Sequence, residues 1–226
     1  TVTEIKREAF CLTNITEIKL PSNLAYIGDS AFADCKYVKS VTIPSTVEKI
    51  HDSAFEDCRM LATLIFAEPS ALISIGNWAF YNNHELKSVV IPDGVTEIGY
   101  AAFYGCTYLK ELTLPSTMHE VADNGFALCS KLTEITVNAP EPPVVESKTF
   151  EDVDRSIPVY VPDGTGPKYR AAAVWNQFDI RDRAETPTDL NNIEGETIKA
   201  EKVIRDGQVL ILRDGKTFNL LGTEVQ

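Results

Sequence analysis

Five cysteines, three histidines and several adjacent carboxylates are the residues of this 226-residue chain from which chemistry could be built. The cysteines stand at 11, 35, 58, 106 and 129. A structural zinc site draws its thiolates from close pairs such as C-x-x-C, and no such pair occurs. The last four instead share one slot of a repeating interval, in which Asn83 takes the place of another thiol. An obligatory disulfide or metal site would not tolerate that asparagine. Cysteines set side by side by a regular repeat also point their Cβ–Sγ bonds the same way, a poor arrangement for bonding. The expectation is therefore buried, reduced thiols acting as small hydrophobes. His84 and His119 fall at different phases of the interval, and neither converges with a Ser or Cys nucleophile. His51 takes a slot held elsewhere by Gly28, Gly76 and Gly99, which predicts a surface bend. H-E-x-x-H, G-x-S-x-G and G-x-x-x-x-G-K-[ST] are absent. Asp163-Gly164-Thr165-Gly166-Pro167 lacks the Lys-Ser/Thr of a phosphate loop and reads as a turn. Pairs such as Glu56-Asp57 read as solvated, with nothing to set two carboxylates across a cleft for glycoside hydrolysis. The sequence thus predicts no enzyme, no metal and no cofactor.

Net charge narrows the partners. Lys and Arg number 21 against 33 Asp and Glu, a formal charge of −12. Phosphate backbones and anionic membranes select for clustered base, so neither nucleic acid nor a membrane surface is expected as a partner. The 44% hydrophobic content predicts a true core. The longest small-apolar run, Ala171 to Trp175, is far short of a membrane span, so no membrane insertion is expected. The chain begins at Thr1 without Met or a charged-then-apolar leader, and the expectation is an exported product whose targeting peptide has been removed.

What must position any functional residue is a repeat. Ala-Phe or a variant recurs at Phe10, Phe32, Phe55, Phe80, Phe103, Phe126 and Phe150, with gaps of 22, 23, 25, 23, 23 and 24 residues. A period in this range marks a solenoid. In residues 44 to 66, Pro44, Val47, Ile50, Phe55, Cys58, Leu61, Leu64 and Phe66 define the unit, and the stretch from Pro92 repeats it. Val41-Thr42-Ile43 and its equivalents alternate, which predicts a short strand with one buried face. Apolar spacing of three from Phe55 through Cys58 to Leu61 predicts a helical or 3₁₀ arc. Proline after most strands (Pro21, Pro44, Pro92, Pro115, Pro162) ends the strand at a fixed place. Ala67-Glu68-Pro69 lengthens one unit and predicts a projecting loop. The fold class expected is a repeat solenoid of parallel strands and arcs over residues 1–181, with a capping helix bearing Tyr169 and Trp175. A polar linker over 182–192 would lead to a small antiparallel β meander over 193–226, with turns at Asp206-Gly207 and Asp214-Gly215.

The run I-P-S-T-V-E-K-I-H-D-S-A-F-E-D-C-R-M-L over 43–61 resembles the BspA-like leucine-rich repeat, and the likeness extends over about residues 5 to 162. The ending G-K-T-F-N-L-L-G-T-E-V resembles the tails of exported surface proteins of Bacteroides-type bacteria, a resemblance that implies a role in export or sorting. The family resemblance implies a secreted or cell-surface module that adheres to a host or extracellular-matrix protein or glycoprotein.

In a solenoid the outward strand positions align coil upon coil and form the usual binding face. Alternation assigns one such stripe to Lys19, Thr42, Ile65, Val90, Thr113, Thr136 and Tyr160. A neighbouring stripe comprises Glu17, Ser40, Thr63, Ser88, Glu111 and Glu134. Ile65 and Val90 are two adjacent apolar residues where the stripe is otherwise mostly polar, and they predict a contact patch on the concave strand face. The rival expectations are a structural spacer that displays another domain, and a carbohydrate-active surface protein.

Overall fold

The computed structural model describes residues 2–183 and, further on, the strands 200–205, 208–213, 216–218 and 224–225. The chain divides into two compact units, Thr1–Ala184 and Glu185–Gln226.

The first unit is the solenoid, and each full coil contributes two strands. The shorter series is β1 (Glu4–Ile5), β2 (Tyr26–Ile27), β4 (Lys49–Ile50), β6 (Ser74–Ile75), β8 (Glu97–Ile98), β10 (Glu120–Val121) and β12 (Val144–Val145), joined in that order as one parallel sheet. The longer series is β3 (Ser40–Ile43), β5 (Thr63–Phe66), β7 (Ser88–Val90), β9 (Glu111–Leu114), β11 (Glu134–Val137), β13 (Pro158–Val161) and β14 (Asp179–Asp182). It is split: β3 pairs only with β5, while β7 to β14 form a second parallel ladder. The break falls where Ala67–Ser70 lengthen the coil and expose Glu68 and Pro69, as the loop prediction required. The two-residue strands are a finding beyond the sequence reading, because two residues are too few to show an alternation.

The core follows from the pattern. Ile27, Ile50, Ile75, Ile98 and Val121 point inward from the short strands, and Val41, Leu64, Val89, Leu112, Ile135 and Val159 from the long ones. Between them Phe10, Phe32, Phe55, Phe80, Phe103, Phe126 and Phe150 stack as one column, with centroids 5.0–5.9 Å apart and planes within 11°. Coil spacing near the ~4.8 Å of paired strands imposes this face-to-face offset.

The arcs are not 3₁₀. In a 3₁₀ helix every N–H turns back to the residue three before it; here only alternate ones do. Ala31 and Ala33 donate to Gly28 and Ser30, whereas Ser30, Phe32 and Asp34 donate to Asp52, Ala54 and Glu56 of the following coil at 2.8–2.9 Å. Turning alternate groups outward puts two residues per arc at left-handed φ, such as Ser53 at 56° and Asp57 at 54°. Apolar spacing of three is common to both arrangements, which is why sequence alone did not separate them. The glycine slot also has another cause than a bend. Gly28, Gly76 and Gly99 are absent from the positive-φ set. A Cβ on Gly76 would lie 2.7 Å from the His51 carbonyl carbon, and one on Gly99 would lie 2.6 Å from the Asn77 nitrogen. The coils simply approach closely there.

At the far end, α1 (Gly166–Ala171) and a 3₁₀ turn (Trp175–Gln177) bury Tyr169 and Trp175 completely. Trp175 Nε1 donates to the Pro143 carbonyl at 2.8 Å and the Tyr169 hydroxyl to that of Ala139 at 2.7 Å. The cap extends past residue 181: Asp182 lies in β14, accepts the Gly166 N–H at 2.8 Å and is held below the usual carboxylate range by that bond. Arg183 donates its backbone N–H to Val161. Asp182 and Arg183 thus belong to the array rather than to a linker.

In the second unit β15 (Ala200–Arg205), β16 (Gln208–Arg213), β17 (Lys216–Phe218) and β18 (Glu224–Val225) pair antiparallel in sequence order. The expected Asp-Gly turns and the rest of the linker lie outside the described residues.

Candidate binding surface

The outward positions of the long strands are set by register. Ser40 pairs with Thr63 and Thr42 with Ile65. Beyond the break, Ser88 pairs with Glu111 and Val90 with Thr113; Glu111 and Thr113 then pair with Glu134 and Thr136. Thr136 continues to Tyr160, and Tyr160 to Arg181. Both stripes therefore lie on one face, every side chain at least partly exposed. Ile65 is 49% and Val90 61% exposed, although each occupies a position where the next coil outward carries Thr. They flank the break between β5 and β7, where no ladder joins the two strands.

Both ends of the stripe differ from expectation. Lys19 and Glu17 lie outside any strand and make an exposed ion pair at 3.1 Å, so the regular stripe starts at Thr42. At the other end Arg181 extends it beyond Tyr160. Its guanidinium forks onto Asp179 Oδ2 at 2.9 and 2.7 Å, an interaction that holds it more firmly protonated. The signal was present in Phe178-Asp179-Ile180-Arg181, where apolar and charged residues alternate.

The residues first weighed for chemistry do not come together. Among the described residues no group of three His, Cys, Asp or Glu is placed to hold a metal ion. His84 Nδ1–H donates to the Gly105 carbonyl at 2.9 Å, and His51 faces Asp29 at 3.7 Å. All five cysteines are free, and Cys35, Cys58, Cys106 and Cys129 are buried. Each slot thiol donates to the carbonyl of the preceding coil's core phenylalanine, at 3.2 Å for Cys58 on Phe32 and 3.5 Å for Cys106 on Phe80. Asn83 does the same with Nδ2 on Phe55 at 2.9 Å. The slot therefore asks for a small buried donor. Desolvation pushes the Cys106 thiol up to about 12 and raises Cys58 and Cys129 as well, so these sulfurs stay protonated and unreactive. A hollow of about 830 Å³ at the first coil, lined by Ile5, Phe10, Ile15, Ile18 and Leu20, is the open side of the core itself.

Paired strand ladders, a phenylalanine column and a donor slot of this period are matched by the model of the BspA type leucine rich repeat region, in six copies, over residues 3–133 and 73–164. The chain belongs to that family. Among solved structures, the BspA-type chain is similar to a Treponema pallidum leucine-rich-repeat protein, with 22% identity and a TM-score of 0.55, covering 77% of this chain and 85% of that one. It is also similar to a leucine-rich cell surface protein of Faecalibacterium prausnitzii, at 24% identity and a TM-score of 0.49, over 67% and 49% of the two chains. A Bacteroides ovatus leucine-rich-repeat protein matches at 17% identity and a TM-score of 0.42, over 80% and 65%. The first of these likenesses bears on fold alone. No curated protein matches the chain.

Proposed function

We propose that this BspA-type chain is a secreted or cell-surface adhesion module, without catalytic activity, that binds a host or matrix protein or glycoprotein through its long-strand face. The observation that carries the reading is the exposed Ile65 and Val90 in mid-stripe, amid short polar side chains. Two neighbouring apolar side chains held on rigid strands give a partner an apolar anchor, and the Ser and Thr around them supply hydrogen bonds at small entropic cost. Family membership supports placement outside the cell, and the charge of −12 favours partners other than nucleic acid.

The test is an array of extracellular-matrix proteins and mucins probed with the chain and with Ile65→Lys/Val90→Lys. The two lysines must lose water on contact, so affinity for a captured protein should fall by more than about 2 kcal/mol, the scale of a central hot spot. The melting temperature should hardly move, because neither residue faces the core. If the double variant bound as well as the parent, the strand face would not be the contact surface. If no array protein bound the parent, the chain would be a spacer.

A further inference from the structure

A second surface lies on the turn arcs of two successive coils, away from the strand residues just described, and its composition breaks the repeat's own rules. The position two before the core phenylalanine adopts left-handed φ in six of the seven coils and carries Glu8, Ser30, Ser53, Ala101 and Asn124 in five of them; in the sixth it carries Trp78, at φ 52° and 40% exposed. A bulky side chain is a costly choice for that backbone, and nothing in the core repays it. The position three before the phenylalanine is an Asp or Asn in four of the seven coils, with Arg7 and Ser147 in the two end coils, and three of the four accept a backbone N–H of the next coil. Asp52 accepts from Asn77 at 2.8 Å, Asn77 from Tyr100 at 2.8 Å, and Asp123 from Lys148 at 3.2 Å. Tyr100 takes that slot with a phenol that cannot serve as this acceptor, and it stands 42% exposed.

These two exceptions meet. Trp78 and Tyr100 pack edge to face with centroids 5.5 Å apart. One position after the phenylalanine, Tyr81 and Tyr104 stack at 5.0 Å where other coils carry Ala33, Glu56, Ala127 or Glu151. Both pairs bridge the same two coils, with the Tyr81 N–H donating to the Trp78 carbonyl at 3.1 Å, so the four rings sit on the same pair of arcs. Its rim carries the amides of Asn82 and Asn124, the latter donating to the Tyr100 hydroxyl at 3.2 Å. Of the nearby carboxylates Asp52 is engaged by the Asn77 backbone and amide and Asp57 by Arg59 at 3.0 Å, which leaves Glu56, one coil before Tyr81.

We propose that this aromatic cluster is a binding site for neutral oligosaccharide. The C–H face of a pyranose ring carries partial positive charge and packs on the negative face of an indole or phenol, while its rim of hydroxyls pairs with amides and phenolic oxygens. A cationic peptide would instead want several carboxylates around the rings, and among the described residues Glu56 alone stands there without a partner. Where a sequence violates its own local pattern twice in adjacent places, function is the expected reason.

The full chain is applied to an immobilised panel of neutral glucose, galactose, mannose and N-acetylglucosamine oligosaccharides, with Lys/Arg-rich and proline-rich peptides as further arms. Saccharides retained are titrated in solution by calorimetry, which reads parent and variants alike, while the parent's tryptophan fluorescence reports Trp78 because Trp175 is buried. At least one saccharide should bind and shift the emission. Trp78→Ser/Tyr100→Asn places residues that the repeat itself uses at both slots, so its melting temperature should be equal or higher while affinity falls at least tenfold. Ile65→Lys/Val90→Lys should leave saccharide binding unchanged, which separates this site from the strand face. Retention of no saccharide, equal binding by the Trp78/Tyr100 variant, or capture of a peptide arm alone would overturn the proposal.

Discussion

Replacing Cys106 with valine should flatten the alkaline loss of stability. The folded chain keeps this thiol protonated up to about pH 12, because the site offers it no water and one carbonyl acceptor, whereas the ordinary thiol value is 9.0. Between those limits the unfolded chain has released the proton and the folded chain has not, so unfolding is favoured increasingly as pH rises. The stabilisation is complete below pH 9 and is lost on the way to pH 12. One pKa unit corresponds to about 1.4 kcal/mol, so between pH 8 and pH 11 this one thiol should cost about 3 kcal/mol. Cys58 and Cys129 act in the same direction, which makes the comparison differential: parent and Cys106→Val are unfolded in urea, under reductant, at pH 8, 9, 10 and 11. Valine, which the last coil carries here as Val153, removes the sulfur together with its hydrogen bond to Phe80, a loss that is the same at every pH and so leaves the pH dependence as the readout. The variant should lose about 3 kcal/mol less than the parent over the range. Parallel stability curves for the two proteins would show that the sulfur is hydrated in the native state, and the account of the slot would fall.

The same slot supplies a stabilising change. Asn83 satisfies Phe55 with its nitrogen but leaves a buried Oδ1 without a partner, so Asn83→Cys should raise unfolding free energy by about 1–2 kcal/mol; an unchanged or lower value in urea would refute this. Phe80 stacks on both Phe55 and Phe103, and Phe80→Ala should cost about 3–5 kcal/mol. Phe10, stacked on Phe32 alone and 41% exposed, should cost clearly less as Phe10→Ala, and equal losses in the two melts would contradict the column as a mutually supporting core.

The repeat period, the long strands up to β13 and the inward set were legible because alternation and a fixed period leave few arrangements that bury Ile, Leu, Val and Phe together. The stripe from Thr42 to Tyr160 came from the same alternation. Four features were not legible, each for a local reason. The short strands show no periodicity in two residues. The arcs share their apolar spacing with a 3₁₀ helix and differ only in where alternate N–H groups point. Gly76 and Gly99 answer to the backbone of the neighbouring coil, which a single unit does not display. Trp78 and Tyr100 sit in different units and become neighbours only once the coils are stacked, so their pairing is a property of the repeat's register. Aligning the slots column by column shows both as exceptions, and that comparison is the signal a linear reading passes over.

The split between β5 and β7 has a mechanical meaning. A stack of coils under axial tension carries load through the backbone bonds between successive coils. Most junctions between β7 and β14 share that load between the short-strand sheet, the turn arc and a long-strand ladder, but the junction at β5 and β7 lacks the ladder. Pulling should therefore open the array at that junction before any that a long-strand ladder bridges, hinging on the continuous short-strand sheet, with the opening running between Ile65 and Val90. A partner seated across those two residues would staple this joint, so that occupancy would be read as a higher force for its rupture and the grip would fall where the scaffold lacks its own ladder.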